Sequence, residues 1–154
     1  MRKPYDIVVC GGGLSGLIAT LAFGLEGYKV LCVESSNKKV GLAGDFRSTA
    51  LLQKSVEIMD RFKVWDDLIP DASPLHIMRI IDIREDKGQN TTHDFKSSDI
   101  SDLPFGWNIS NSKIKNVLIK KIESISNAEI CYNSRVKEIF TRTNEGRLVL
   151  DNDE

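Results

Sequence analysis

A short β-branched segment that runs directly into three consecutive glycines sets the limits on how this chain can fold. Residues 5–10 have the composition of a buried parallel strand, and the glycine turn of residues 11–16 follows at once. Residues 14–25 are helix-compatible and largely apolar, Gly27 ends that helix, and a second apolar strand follows over residues 29–33. The sequence therefore predicts a β-α-β unit within about thirty residues.

The glycines match the pattern G-x-G-x-x-G at Gly11, Gly13 and Gly16. In such a turn the first glycine allows the tight bend, the second lets the backbone approach a diphosphate, and the third lets helix and strand pack closely. The diphosphate would lie on free N–H groups at the helix N-terminus. Glu34, eighteen residues after Gly16, can accept hydrogen bonds from a ribose diol. We interpret the unit as dinucleotide-binding rather than as a flexible glycine loop. The spacing fits both FAD and NAD as the dinucleotide.

Composition narrows the class of protein. The chain has 154 residues, 41% of them hydrophobic and 28% charged, with a formal net charge of −1. Nucleic-acid-binding surfaces need a marked excess of Lys and Arg, so we expect no nucleic-acid partner. No stretch approaches the roughly 20 apolar residues that span a bilayer. We therefore expect a soluble, cytoplasmic protein that is neither secreted nor membrane-spanning.

The cysteines and histidines offer no recognisable site. Cys10, Cys32 and Cys131 form no C-x-x-C pair and have no metal-ligand spacing with His76 or His93. We interpret the cysteines as small buried hydrophobes in a reducing cytosol and the histidines as ordinary strand residues. We expect no metal, and no Ser-His-Asp, Cys-His or paired-carboxylate constellation assigns a catalytic residue.

The segment after the second strand predicts a helix that begins at Ser48 or Thr49 as N-cap, which places Arg47 at the helix mouth. Its buried face consists of residues at near-helical spacing, namely Leu52, Val56, Met59 and Phe62. Residues 64–68 continue as a second, short helical piece.

The remainder alternates between strands and one helix. Residues 75–96 predict a β-hairpin around a turn at 87–90. A helix follows residues 107–112, with inward positions Ile114, Val117, Leu118, Ile122 and Ile125 and a solvated side of Lys113, Lys115, Lys120 and Lys121. Strands follow over residues 128–132, 134–142 and 147–151. We predict an α/β fold: one Rossmann-like, three-layer domain over residues 1–154 with a parallel sheet and the hairpin as an excursion.

Three segments together carry a resemblance: the fingerprint of residues 11–34, D-x-R-x-x-A-L at 45–51 and V-W-x-x-L at 64–68. The chain resembles the FAD-dependent aromatic-ring monooxygenases, and within them the ubiquinone-biosynthesis hydroxylases of the 2-polyprenyl-6-methoxyphenol hydroxylase type. The resemblance implies FAD as cofactor, NAD(P)H as electron donor and a phenolic, polyprenylated substrate whose ring the flavin hydroperoxide hydroxylates. It also implies that Arg47 reaches the cofactor's diphosphate and ribityl region; the alternative is a surface ion pair with Asp45.

The resemblance assigns two further contacts. Asn111, seven residues before Leu118, stands where an amide touches the ribityl chain in the family; the alternative is a helix N-cap. Backbone groups near Val136 would meet the adenine, with plain strand packing as the alternative, and the hairpin of residues 75–96 would belong to the substrate-side sheet. The candidate cofactor-binding residues are Gly11, Gly13, Leu14, Ser15, Gly16, Glu34, Ser35, Arg47, Asn111 and Val136.

The resemblance covers the whole chain but only the N-terminal portion of a typical family member. The substrate sheet and a later Gly-Asp-Ala segment of such members lie outside it. The polyprenylated substrate that the resemblance implies leads us to expect peripheral contact of the full-length protein with the inner membrane. Without the later strands, a sheet edge and an apolar face would be exposed, so we also expect self-association of the chain or a complementing chain. Two readings from other classes remain open: an NAD-binding dehydrogenase domain and a non-catalytic truncated remnant.

Overall fold

The computed structural model describes residues 4–38, 45–83 and 91–151. They fall into two compact units: Met1–Arg47 with Asn111–Glu154, and Ser48–Ser110. Within the described ranges, no helix combines the length and the apolar character that a membrane crossing needs.

The secondary structure is mixed, with short strands and two longer helices. The strands are β1 (Ile7–Cys10), β2 (Val30–Val33), β3 (Ser48–Leu52), β4 (Ser73–Leu75), β5 (Ile77–Asp82), β6 (Thr91–Lys96), β7 (Gly106–Ser110), β8 (Ala128–Cys131), β9 (Val136–Thr141) and β10 (Gly146–Leu150). The α-helices are α1 (Leu14–Leu25), α2 (Gln53–Arg61), α3 (Trp65–Leu68) and α4 (Asn111–Glu123).

The first unit is built on a parallel sheet in the order β1-β2-β8, which confirms the predicted parallel sheet and its β-α-β start. Central strand β2 is the best covered, since Val30 and Cys32 are completely buried. Helices α1 and α4 add a buried row of aliphatic side chains, namely Leu17, Leu21, Ile114, Leu118 and Ile122. Each such side chain contributes about 1.5–3 kcal/mol by leaving water. This core fixes the carboxyl ends of the strands, where the glycine turn lies.

Two connections hold the far end of this unit together. A Cβ on Gly24 of α1 would lie 2.7 Å from Cδ1 of Ile125, so any larger residue there would require the Ile125 side chain to shift. The side-chain amide of Asn127 donates to the carbonyl oxygens of Gly24 at 2.8 Å and Tyr28 at 2.7 Å. These two bonds connect the segment before β8 to the last turn of α1 and to the loop that follows it.

Strands β9 and β10 pair as an antiparallel hairpin with an irregularity between Val149 and Leu150. The chain that leads into β9 passes the end of β2. The N–H of Asn133 donates to the carbonyl oxygen of Ser36 at 3.3 Å, and the N–H of Ser134 donates to that of Glu34 at 3.1 Å. The start of this hairpin is thereby fixed beside Glu34.

Residues 48–52 form a strand, so the helix predicted to begin at Ser48 or Thr49 was placed too early. Strand β3 pairs antiparallel with β7, which also pairs with β4, and helix α2 begins only at Gln53. Leu51 is buried while its neighbours Ala50 and Leu52 are exposed, which is strand alternation. Arg47 therefore precedes a strand and does not stand at a helix mouth.

The other strands of the second unit form a separate antiparallel hairpin, β5-β6, as the two-residue alternation predicts. Met78 faces Phe95 and Ile80 faces His93 across the pair. All residues of both strands are exposed. The turn predicted at residues 87–90 lies outside the described residues.

The cysteines differ from one another in burial. Cys32 is buried, but Cys10 is exposed, contrary to the expectation that each thiol is a buried hydrophobe. The reason is its position: Cys10 is the last residue of β1, which is an edge strand among the described strands of its sheet.

Candidate functional site

The glycine turn leaves the start of helix α1 open. Gly11 has a φ of 108°, a left-handed conformation that favours glycine, and its N–H donates to the carbonyl oxygen of Val33 at 2.8 Å. Gly13 is the N-cap of α1, and no side chain caps the helix there. The N–H groups of a helix's first turn lack helical partners and carry the positive end of its dipole. They can therefore receive an anion.

Space around the three fingerprint glycines is unevenly distributed. A Cβ on Gly16 would lie 1.8 Å from the carbonyl oxygen of Gly11, so helix and strand are packed as closely as backbone allows. A Cβ on Gly13 would meet no atom within 4 Å. Neighbouring Gly12 is confined, because a Cβ there would lie 2.9 Å from Oε2 of Glu34. The open space lies over Gly13, where a ligand's diphosphate would have to approach.

The carboxylate of Glu34 faces this turn. Its Oε2 accepts the N–H of Gly12 at 2.5 Å, and its Oε1 accepts the N–H and the hydroxyl of Ser36 at 2.8 and 2.7 Å and the hydroxyl of Ser35 at 3.4 Å. Partial burial alone would raise the pKa of Glu34, but the hydrogen bonds from Ser36, Gly12 and Ser35 outweigh it and lower that pKa below its ordinary value. Glu34 is therefore ionised at neutral pH, and Oε2 retains a lone pair for a sugar hydroxyl.

A groove of about 120 Å³ opens beside this carboxylate. Its lining combines polar groups with an apolar floor, namely Gly12, Gly13, Glu34, Ser36, Lys38, Lys115 and Tyr132 with Leu17, Ile119 and Ile130. Within the described part of the chain, the buried Oη of Tyr132 has no hydrogen-bond partner. Burial, assisted by nearby negative charge, raises the pKa of Tyr132 to about 12, so its hydroxyl remains a donor. An unpartnered buried hydroxyl in a groove suits a polar ligand.

A second cluster forms around Asp45. Its carboxylate accepts Nε of Arg47 at 2.8 Å, Nη2 of Arg47 at 3.1 Å, Nζ of Lys115 at 2.9 Å and Nδ2 of Asn111 at 3.3 Å. The Asp45 side chain is only 7% exposed, whereas that of Arg47 is 80% exposed. Arg47 and then Lys115 hold the pKa of Asp45 well below its ordinary range. Arg47 thus makes the ion pair that was the alternative to a cofactor role, and its guanidinium still faces solvent.

The structure brings most of the sequence-based candidates to one edge of the first unit. Leu14 and Ser15 open helix α1, and Ser35 follows Glu34. Val136 begins β9, two residues after the Ser134 N–H that bonds to Glu34. Asn111 is the buried first residue of α4, and its side-chain amide donates a hydrogen bond to the carboxylate of Asp45.

The sequence-based candidates did not include several residues of the groove, among them Gly12, Ser36, Lys38, Lys115 and Tyr132. Lys115, predicted on the solvated side of its helix, is 14% exposed and paired with Asp45. It lies four residues after Asn111 and so on the same helix face, a signal that could have identified it. Tyr132 directly follows β8, and carboxyl ends of parallel strands gather where ligands bind.

Comparison with known proteins places the chain in a family. The family model described as the FAD binding domain matches residues 4–146. Ubiquinone hydroxylase UbiM of Neisseria meningitidis is 30% identical to this chain, over 99% of the chain and 34% of its own length. Para-nitrophenol 4-monooxygenase of Pseudomonas sp. is 26% identical, over 90% of the chain and 34% of its own length. The chain thus spans about a third of the length of these relatives.

Solved structures show the same fold. The crystal structure of p-nitrophenol 4-monooxygenase PnpA from Pseudomonas putida matches with a TM-score of 0.78 at 24% identity, over 97% of this chain and 37% of that one. PqsL of P. aeruginosa matches with a TM-score of 0.78 at 14% identity, over 97% and 40% of the respective chains. Together with the family model and the relatives above, these structures confirm the resemblance to FAD-dependent monooxygenases that was inferred from the sequence. With the family model covering nearly its whole length, the chain belongs to the FAD binding domain family.

Proposed function

We propose that this chain is the FAD-binding portion of a flavin-dependent monooxygenase that hydroxylates a phenolic ring, with NAD(P)H as electron donor. One observation carries the proposal: the uncapped start of α1 lies open at Gly13 beside the ionised carboxylate of Glu34, which is already bonded to the Gly12 N–H. An anion site with a hydrogen-bond acceptor beside it suits a diphosphate and the ribose next to that diphosphate.

The residues of this chain bind and orient the cofactor, and FAD when bound supplies the redox chemistry. The N–H groups at Leu14 and Ser15 would hold the diphosphate. Glu34 would accept the ribose hydroxyls, and its negative charge would disfavour a ribose bearing a 2′-phosphate. Arg47 would donate from its exposed guanidinium to the diphosphate and ribityl region, and backbone groups near Val136 would meet the adenine.

The finer features of the proposal rest on the relatives. The ubiquinone hydroxylase at 30% identity supports a polyprenylated phenol as substrate. Such a substrate would bring a cytoplasmic protein into peripheral contact with the inner membrane. We also propose that the complete domain is Rossmann-like with three layers and that the hairpin β5-β6 belongs to the sheet on the substrate side.

The proposal is tested by ligand binding to the purified protein. FAD should remain with the protein through desalting as a yellow complex, and FAD at 100 times its Kd should stabilise the fold by about 2.7 kcal/mol. NADH should give a much smaller thermal shift. Glu34→Ala should reduce the FAD shift, whereas Glu26→Ala, an exposed position at the end of α1, should leave it unchanged.

Other outcomes would favour the readings from other classes. A protein that stays colourless after reconstitution with FAD, yet unfolds at a higher temperature with NADH, would contradict the proposal and indicate a dehydrogenase domain. Equal melting with FAD, NADH and no ligand would contradict it in favour of a non-catalytic remnant.

A further inference from the structure

We propose that Asp45 is a positioning residue that orients the Arg47 guanidinium toward the diphosphate of FAD, and that Lys115 and Asn111 of α4 fix Asp45 for that task. The inference rests on the proposed function and deepens it. It assigns a role to Asp45 and Lys115, neither of which was a candidate cofactor residue in the sequence.

The first step is the geometry of the Arg47 side chain. The Nε–H and Nη2–H groups of Arg47 donate to the two carboxylate oxygens of Asp45, at 2.8 and 3.1 Å, which makes the pair bidentate. Such a pair fixes the plane of the guanidinium as well as its place. A guanidinium has five N–H donors, so donors remain for an anion. The side chain is 80% exposed, and those remaining donors are accessible from solvent.

The second step is the support behind Asp45. Its carboxylate is held from α4 by Lys115 at 2.9 Å and by Asn111 at 3.3 Å, two residues one helical turn apart. The N–H of Asn111 also donates to the carbonyl oxygen of Arg47 at 2.9 Å. The start of α4 therefore holds the Arg47 backbone directly and its guanidinium through Asp45.

The third step connects the cluster with the nucleotide groove. Lys115, whose ammonium binds Asp45, also lines the groove that Gly12 and Gly13 line, so one residue belongs to both the cluster and the groove. Among the described members of this cluster, Arg47 and Lys115 are cations and Asp45 is the carboxylate, so their summed charge is positive. The cluster can therefore attract a diphosphate while Asp45 keeps Arg47 in one orientation.

A substitution of Asp45 distinguishes an orienting effect on Arg47 from a purely electrostatic effect on FAD binding. Asp45→Asn removes a negative charge beside two cations, so a purely electrostatic role predicts that FAD binds more tightly. Positioning predicts the opposite. We expect Asp45→Asn to weaken FAD binding about five- to tenfold, which lies within the range for coupled neighbours. In an Arg47→Met background the same change should have no further effect, because Asp45 acts through Arg47.

Two further variants serve if Asp45→Asn folds poorly. Lys115→Met keeps the Asp45–Arg47 pair but removes its support, and it should weaken FAD binding about two- to fivefold. Lys120→Met, an exposed lysine on the same helix, is the matched control and should bind FAD as the unaltered protein does. Thermal unfolding of each variant reports whether the fold is intact.

A measurement without FAD keeps the inference separate from the proposed function. In the ligand-free protein the Nε–H of Arg47 should give an ordered, slowly exchanging NMR signal, which Asp45→Asn and Lys115→Met weaken and Lys120→Met preserves. An unchanged Arg47 signal in Asp45→Asn, tighter FAD binding by that variant, or additive losses in the Arg47→Met background would overturn the inference. Failure of the unaltered protein to bind FAD would overturn the proposed function instead.

Discussion

At the scale of single residues, the glycine turn contains one position with no room for a side chain and one position with room for it. Gly16 is closed, since a Cβ there would collide with the Gly11 carbonyl oxygen at 1.8 Å. Gly13 is open and has an extended backbone that any residue can adopt, with φ −70° and ψ 178°. Folding and ligand binding should therefore respond differently to the same methyl group.

Gly16→Ala should lower the free energy of unfolding by about 1–3 kcal/mol, the usual cost of overpacking. Gly13→Ala should lower it by less than about 1 kcal/mol, the size of an N-cap effect, yet weaken FAD binding because its Cβ enters the space over the turn. Urea unfolding and FAD titration of both variants measure the two effects. If Gly13→Ala bound FAD normally, the diphosphate could not lie over that residue.

Glu34 should make stability depend on pH in acid. Its pKa is lowered in the folded protein, so its contribution is complete above the pKa of the unfolded chain and is lost as the pH falls through the folded value. Glu34→Gln should therefore be less stable than the unaltered protein at neutral pH, with a difference that shrinks below about pH 4.3. Denaturant unfolding at several pH values measures this difference. A difference that grew toward acid would contradict the assignment.

At the scale of elements, local patterns predicted what local contacts determine. The strand, glycine turn and helix of the first unit and the apolar face of α4 were predicted because each is fixed by neighbours within a few turns. Strand β3 was missed because its state depends on β7, whose partner residues begin at Gly106. A Cβ on Gly106 would lie 2.3 Å from the carbonyl oxygen of Leu51, a contact that no local pattern records.

The candidate site was likewise predictable only where local sequence determines it. Glu34 follows from its spacing in the fingerprint. The Asp45–Lys115 pair joins residues 70 positions apart, and only the folded chain brings them to 2.9 Å.

The strands should differ strongly in hydrogen exchange. β2 is hydrogen bonded on both edges and buried, whereas β5-β6 is a hairpin with all its residues exposed. Isolated hairpins are marginally stable in water. We expect the amides of β2 to exchange roughly 100-fold more slowly than those of β5, or more slowly still. Similar protection of the two strands, measured by NMR or mass spectrometry, would contradict this ranking.

At the scale of the whole molecule, the hairpin β5-β6 carries neighbouring exposed apolar side chains. On β5-β6, side chains such as Met78, Ile80 and Phe95 are each about half exposed, at 52%, 50% and 48%. Met78 and Phe95 are direct cross-strand partners, and Ile80 lies on the same face two residues along. Apolar patches of this kind favour association.

The 154-residue chain should therefore self-associate as its concentration rises. The double variant Ile80→Lys with Phe95→Lys should shift it toward monomer, because both lysines lie on the patch. Ser126→Lys, at an exposed turn position outside β5-β6, is the control and should associate as before. Sedimentation velocity over a concentration series measures the outcome, and a monomeric unaltered protein at high concentration would contradict the prediction.

The bond between the Asn111 N–H and the Arg47 carbonyl has a consequence for engineering. The chain leaves the first unit after Arg47 and re-enters it at Asn111, at one shared point. A linker of three residues, which spans up to about 10 Å, is long enough to join the two positions directly. We therefore expect the first unit to fold as a shorter protein in which such a linker replaces residues 48–110.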